Sequence, residues 1–304
     1  MFENQNNPLV SIIFPVKNEG IHLKNTLDSL QNTKTDVHFE VIVVDDASED
    51  GCCDFLANHD YSFAVTTFRT VGLGAARARN AGAEKAKGTY FIFCDAHLFF
   101  EDYWIEKLLD PIENGIADGV SPGIAEHDNP KSVGYGYFLS LQDHTFKAKL
   151  SGKNVVPKDK SPFETAGLPG GCLAISKRVF DDIGGFDRGF IVWGHEDFEI
   201  SLKMWLFGYT CYVQPQVTIL HVFRKAFPYT VSTNHADFNM MRMAYSHFSE
   251  ERIEKCKKFI RVREKADRII ELVLEKDALK QREEYFARRK YDDDWYFKRF
   301  NIDF

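Results

Sequence analysis

No stretch of this chain reaches the roughly 18 consecutive apolar residues of a membrane-spanning helix, so no transmembrane segment is expected along its 304 residues. Residues 1–7 are polar and lack the basic and apolar tracts of a secretory leader. The expectation is a cytoplasmic protein, peripheral at a membrane if it associates with one at all. Basic residues are in deficit: 38 Lys and Arg stand against 45 Asp and Glu, for a formal net charge of -7. A nucleic-acid binder carries a basic footprint, so that class is excluded. A small anionic ligand is not, because a local Lys/Arg cluster can hold one. None of the six cysteines (Cys52, Cys53, Cys94, Cys172, Cys211 and Cys256) forms a C-x-x-C pair, which removes the common thiol-redox and zinc signatures. Cys94 and Cys172 sit in apolar, strand-like runs where a reduced cysteine packs as a small hydrophobe. All six read as free thiols of a reducing compartment. Internal repeats are absent too. What remains, at 44% hydrophobic and 14% aromatic residues, is the composition of a folded chain. It is long enough for one large α/β domain with an appendage or for two modest domains.

Apolar periodicity divides the first half into alternating elements. Val10 to Val16 is a short apolar run, the pattern of a strand buried on both faces. Ile21 to Leu30 brings Ile21, Leu23, Leu27 and Leu30 near helical spacing. Phe39 to Val44 is a second strand run, stopped by Asp45-Asp46. Ala75 to Lys87 is an alanine-rich helix closed by Gly88, and Thr89 to Cys94 is another buried strand, stopped by Asp95. Such alternation predicts a parallel sheet with right-handed crossovers. In these sheets the ligand sits beyond the carboxyl ends of the strands, where these acidic residues stand. From Ser121 to Pro169 the pattern weakens and Gly, Lys, Asp and Pro become frequent, which predicts loops and short elements. Further on, a strand is expected at Cys172 to Ser176, helices at Lys177 to Ile183 and Glu196 to Phe207, and a strand at Val213 to Val222. From Ala236 the chain is helical and densely charged with both signs.

Five segments carry chemistry. Asp45-Asp46-Ala47-Ser48 follows a buried strand, where a carboxylate can accept the N3–H of a uracil or bind a ribose hydroxyl; capping the next helix is the alternative. In Asp95-Ala96-His97, residues i and i+2 of an extended segment point to one side. One carboxylate oxygen and one imidazole nitrogen can then reach one cation, and mixed O/N ligation suits Mn²⁺, or Mg²⁺, better than a structural zinc site. His221 ends a strand and can complete that site, with Arg224 and Lys225 beside it to meet a diphosphate; a satisfied histidine followed by a solvated basic turn is the alternative. Acids in the first turn after Trp193-Gly194-His195 are favourable to a helix by themselves. In a site, Glu196 and Asp197 would hold sugar hydroxyls and take the proton of a nucleophile. Arg77 and Arg79 lie near the start of the alanine-rich helix; Arg77 can face a nucleotide, with a solvent-facing helix charge the alternative.

The order of these pieces is more informative than any one of them. Val10-Ser11-Ile12-Ile13-Phe14-Pro15 with Asn18-Glu19, Val44-Asp45-Asp46-Ala47-Ser48-Glu49, Gly74 with Arg77-Ala78-Arg79, Asp95-Ala96-His97, Gly170-Gly171, Trp193-Gly194-His195-Glu196 and His221-Val222-Phe223-Arg224-Lys225 follow one another. This series resembles the GT-A glycosyltransferases of family 2, and especially the catalytic domain of the polypeptide N-acetylgalactosaminyltransferases. The resemblance spans roughly residues 9–230. It implies an α/β GT-A fold, Rossmann-like, with a mostly parallel central sheet flanked by helices. Residues 1–235 would form the catalytic domain and residues 236–304 a helical C-terminal extension. It further implies that Pro15, Glu19, Asp45, Asp46 and Arg77 line a nucleotide pocket and that Asp95, His97 and His221 bind manganese. Gly171, Trp193 and Glu196 would meet the donor sugar and Arg224 the diphosphate, with Tyr229 on a loop closing over it. The donor would be a UDP-sugar and the acceptor a glycan, a lipid-linked glycan or a peptide.

One departure changes the expected chemistry. The transferases it resembles carry Trp-Gly-Gly-Glu-Asn and retain anomeric configuration, whereas this chain ends the motif in Asp197. Inverting relatives carry Glu-Asp there, with the aspartate as base, so inversion with Asp197 as base is expected. Retaining transfer and non-catalytic binding of a nucleotide sugar are the alternatives. In the tail, Phe238, Met240, Met241, Met243, Tyr245 and Phe248 predict a helix packed on the core, with acceptor binding the alternative. Glu264 to Glu284 reads as a solvated face, with self-association through these helices the alternative. The Lys-rich stretch from Gln142 to Ala166 is the candidate acceptor-side loop.

Overall fold

The structure is a computed structural model that describes residues 9–141, 146–224 and 226–304. The polar start at residues 1–7, Lys225 of the basic turn and residues 142–145 of the expected acceptor-side loop lie outside the described residues.

Four strands, β1 (Val10–Val16), β2 (Phe39–Asp45), β3 (Ala64–Arg69) and β4 (Tyr90–Cys94), form a parallel block in the order β3-β2-β1-β4. Every residue of β2 is buried, and all of β1 except Pro15. That is why both read as unbroken apolar runs rather than alternating ones. Alternate residues serve opposite faces. Ile12, Phe14, Val41 and Val43 pack under α1 (His22–Asn32), through Leu23, Leu27 and Leu30. Ile13, Ile42 and Val44 pack under α2 (Ala75–Lys85), whose Ala76 and Ala78 let the helix lie close.

Beyond β4 the strand direction changes. β10 (Cys172–Ser176) runs antiparallel to both β4 and β6 (Gly119–Glu126), β11 (Cys211–His221) runs parallel to β6, and the two-residue strands β5 (Leu98–Phe99) and β9 (Phe163–Glu164) are antiparallel to β11. The sheet is therefore parallel on the β3-β2-β1-β4 side and mixed on the other.

The stretch from Ser121 to Pro169 departs from expectation. In place of loops, β6, β7 (Asn129–Ser140) and β8 (Lys147–Ser151) form an antiparallel meander. The first four residues of β7 are exposed, so this strand lacks the alternation that periodicity detects. Also not expected were the short β5; β3, an edge strand with no buried residue; and α3 (Trp104–Glu113), which buries Trp104, Ile105, Leu108 and Leu109.

The chain then passes through α4 (Lys177–Asp182) and α5 (Glu196–Phe207) to five further helices: α6 (Thr233–His247), α7 (Glu250–Lys257), α8 (Ala266–Glu275), α9 (Ala278–Arg288) and α10 (Asp293–Arg299). Phe238, Met240, Met241, Met243, Tyr245 and Phe248 are buried in the same core as Phe198, Leu202 and Trp205 of α5. Buried polar pairs orient the packing. His247 Nε2 lies 2.8 Å from Glu199, Lys203 Nζ lies 3.3 Å from the same carboxylate, and Arg242 Nε donates to Asp187 at 2.8 Å. Such pairs contribute geometry more than net stability. Among the described residues no helix is long and apolar enough to cross a membrane.

Candidate active site

A cleft of about 1140 Å³ opens beyond the carboxyl ends of β1, β2 and β4, the place where open α/β sheets bind ligands. The turn after β1 forms its first wall. Asn18 sits in the left-handed region at φ 54°. Its amide donates to Ser48 Oγ at 3.0 Å, and its side-chain oxygen accepts from the Glu49 amide at 2.7 Å. Pro15, Glu19 and Asp46 line the cleft.

Asp45 and Arg77 depart from their expected places, because neither lines the cleft. Asp45 is buried and engaged locally, accepting from the Ser48 amide at 2.8 Å and from Arg69 at 2.6 Å. The chain reverses at Ala47, where φ is 62°, and it is the next carboxylate, Asp46, that faces the cleft. Asp46 also accepts the Gly74 amide at 2.8 Å, which holds the start of α2. Arg77 bends back along its own helix and donates Nε to the Leu73 carbonyl at 2.7 Å.

Arg79, two residues on, enters the cleft instead. It is 3% exposed, and its guanidinium reaches Glu196 at 3.0 Å, Asp95 at 3.1 Å and the Gly170 carbonyl at 3.2 Å. One buried cation thus ties α2, β4, the turn before β10 and α5 together. Helical spacing carried the signal: Arg79 lies three residues from both Ala76 and Gly82, on the small-residue face that meets the sheet. Removing one partner of a buried ion pair strands the other charge, at a cost of about 3–5 kcal/mol. Arg79→Met is therefore expected to lose stability of that order, measured by chemical denaturation, and an unchanged midpoint would show the pairs to be incidental.

Asp95, His97 and His221 meet in the centre of the cleft. Each offers a ligating atom, and these atoms all lie within 4.8 Å of one another. His221 Nε2 is 3.4 Å from Asp95 Oδ2. His97 turns its Nδ1 to Glu19 at 3.2 Å, leaving Nε2 towards Asp95. Glu19 in turn binds Arg224, one of whose contacts is 3.2 Å, so the turn after β1 orients both the histidine and the arginine. Burial alone would raise the Asp95 carboxyl. The His221 hydrogen bond and the charges of His97 and Arg79 outweigh it and hold the group well below the usual carboxylate range.

Gly171 explains why this spot is open. A Cβ there would lie 3.3 Å from the His221 ring and 3.8 Å from Asp95 Oδ2. The preceding Gly170 abuts Asp197 instead: its amide donates to Asp197 Oδ2 at 3.1 Å, and a Cβ would meet the Asp197 side chain at 3.0 Å. Two consecutive glycines, Cα atoms about 3.8 Å apart, thus separate the Asp95-His97-His221 group from a carboxylate. Burial, then the charge of Glu196, push the Asp197 carboxyl up to about 6. Glu196 is held by Arg79 and by the Gly194 amide at 2.9 Å.

The opposite lip carries aromatics. Trp193 lies 4.7 Å, centroid to centroid, from Phe227, and Tyr229 lines the cleft nearby. Asn239 of α6 clamps the segment before α5, donating to the carbonyls of Ile191 and Gly194 at 2.9 Å each. The sequence did not single out Asn239, because it acts across the fold; it named Arg79 and Gly170 only within motifs, without these roles.

The sheet order and the crevice at its switch point define a GT-A fold. The chain belongs to glycosyl transferase family 2, whose sequence pattern matches residues 11–184. The pattern described as the N-terminal domain of galactosyltransferase matches residues 152–226. Polypeptide N-acetylgalactosaminyltransferase 5 of Caenorhabditis elegans is 29% identical over 263 residues, which is 79% of this chain and 41% of that protein. Polypeptide N-acetylgalactosaminyltransferase 14 of Homo sapiens is 30% identical over 243 residues, 76% of this chain and 43% of that protein. The chain thus spans about two fifths of the length of these relatives. The crystal structure of GalNAc-T7 with UDP, GalNAc and Mn²⁺ superposes with a TM-score of 0.71 at 22% identity, covering 97% of this chain and 57% of that one.

Proposed function

We propose that this chain transfers a sugar from a UDP-sugar to an acceptor hydroxyl on a glycan, a lipid-linked glycan or a peptide. Manganese, or magnesium, would be held by Asp95, His97 and His221. The observation that carries the proposal is the juxtaposition of that group with Asp197 across Gly170-Gly171, inside one cleft. The donor set fits such an ion: one carboxylate and two imidazoles suit a divalent transition metal with open positions, and Gly171 leaves the approach unblocked. When bound, the ion supplies Lewis-acid stabilisation of charge on a departing diphosphate.

The chain's own residues have separable tasks. Pro15, Glu19 and Asp46 would border the nucleotide. Arg224, now paired with Glu19, would meet the diphosphate, with Tyr229 and Trp193 closing over it. Glu196, fixed by Arg79, would accept hydrogen bonds from the donor sugar. Asp197 would take the proton of the incoming hydroxyl. A base works best when its pKa lies near the operating pH, and a carboxyl raised to about 6 is a stronger base than an ordinary one. This favours inversion, in which the base and the leaving group lie on opposite faces. Retention is the second reading, favoured by the sequence likeness to the N-acetylgalactosaminyltransferases.

The test is metal-dependent release of UDP from a panel of UDP-sugars, followed by a proton spectrum of the glycoside formed. Turnover with inverted configuration is expected. UDP binding with no turnover on any donor would instead make the chain a nucleotide-sugar-binding protein. A pH profile adds an independent check. The base acts only when deprotonated, so the rate should fall about tenfold per pH unit below about 6 and level off above it. A flat profile between pH 5 and 7 would remove Asp197 from the role.

A further inference from the structure

The segment leading into α5 is strained. Val192 (φ 48°), Gly194 (φ 111°) and His195 (φ 66°) all adopt positive φ. For a non-glycine residue that conformation is uncommon and costly, and such costs gather at functional sites. Capping does not account for His195. N-caps favour Ser, Thr, Asp, Asn or Gly, and the His195 side chain makes no capping hydrogen bond. The ring instead lines the cleft, edge-on to Phe146 at 5.7 Å between centroids. It stands one residue before Glu196 and two before Asp197. Burial, with the charge of Arg261 adding to it, pushes the imidazole down to about 4. The ring is therefore neutral at neutral pH, with one N–H donor and one acceptor nitrogen.

We propose that His195 is an acceptor-recognition residue and that the acceptor is a carbohydrate. This rests on the reading of the cleft as a site of glycosyl transfer. A pyranose presents an apolar C–H face and a rim of hydroxyls. Phe146, edge-on to His195 and also lining the cleft, offers apolar surface for the face, and the two in-plane nitrogens of His195 meet hydroxyls of the rim. Orientation by a few placed polar groups in a mostly apolar pocket is how small-molecule sites gain specificity.

Two variants test this without endangering the fold. His195→Gly removes the ring and relieves the positive-φ strain. His195→Asn tolerates the left-handed region and keeps a donor and an acceptor. Three quantities are compared: UDP affinity with Mn²⁺ by calorimetry, UDP release with water as the only acceptor, and the rise in release on adding a panel of methyl glycosides or a Ser/Thr peptide. The expected result is a glycoside-dependent rise in the wild type, weakened about tenfold in His195→Gly through KM and largely kept in His195→Asn. UDP affinity should stay within about twofold throughout. An unchanged rise in His195→Gly overturns the proposal. So does a wild type that responds to the peptide alone or to none of the glycosides. Absence of Mn²⁺-dependent UDP binding in the wild type would instead sink the underlying reading of the cleft.

Discussion

Asp197→Asn is expected to lower glycosyl transfer by about 10²–10⁴-fold, the range for loss of a positioned general base, while leaving UDP and metal binding close to the wild type. The two predictions separate because the carboxylate and the metal-ligating group are distinct neighbours. Gly170 contacts Asp197, and Gly171 contacts His221 and Asp95. Asparagine keeps the shape and can still accept the Gly170 amide, which now reaches Asp197 Oδ2 at 3.1 Å. What it loses is the ability to take a proton. The substitution also removes a buried carboxyl whose ionised form is disfavoured by burial and by Glu196, so no loss of fold is expected. Transfer at more than a tenth of the wild-type rate would remove Asp197 as the base and favour the retaining reading. A variant that no longer binds UDP would place it among the donor-binding groups.

Asp95→Ala is expected to abolish metal-dependent UDP binding, weakening it by more than ~100-fold. Second-shell changes at metal sites already cost about 10–100-fold, and Asp95 is the carboxylate of the ligating group. The measurement is thermal stabilisation by UDP with and without Mn²⁺. A ligand at a hundred times its Kd stabilises by about 2.7 kcal/mol, and this increment should vanish in the variant. Arg79 keeps its second partner, Glu196, at 3.0 Å, so the chain is expected to remain folded. Asn is the milder control: Asp95→Asn leaves an oxygen at the same place without the charge. Full Mn²⁺-dependent stabilisation in Asp95→Ala would show that the ion binds elsewhere.

Much of this architecture was legible because the parallel block buries its strands on both faces. β1, β2 and β4 appear in the sequence as continuous apolar runs, each followed by the residues that wall the cleft. The convergence of Asp95, His97 and His221 was legible for a related reason. Asp95 and His97 leave one strand and His221 ends another, and β5, which His97 leads into, pairs with β11 at His221. Less legible were choices between adjacent residues. Asp46 rather than Asp45 faces the cleft because the chain turns at Ala47 with positive φ, a conformation nothing in Asp-Asp-Ala-Ser announces. Arg79 rather than Arg77 enters it because the small-residue face of α2 rotates that position inward. The pairing of Glu19 with Arg224 joins residues 205 apart in the chain, beyond the reach of any local pattern. β7 and β8 were hidden because strand pairing, rather than alternation, stabilises them.

The claim on which the rest depends is that a divalent cation and a uridine diphosphate occupy this cleft together. Calorimetric titration of UDP into the protein, in Mn²⁺ and again in EDTA, tests it directly. Tight binding in Mn²⁺ that weakens at least ~100-fold in EDTA is the predicted result. Equal affinity in the two, or no binding in either, would contradict it.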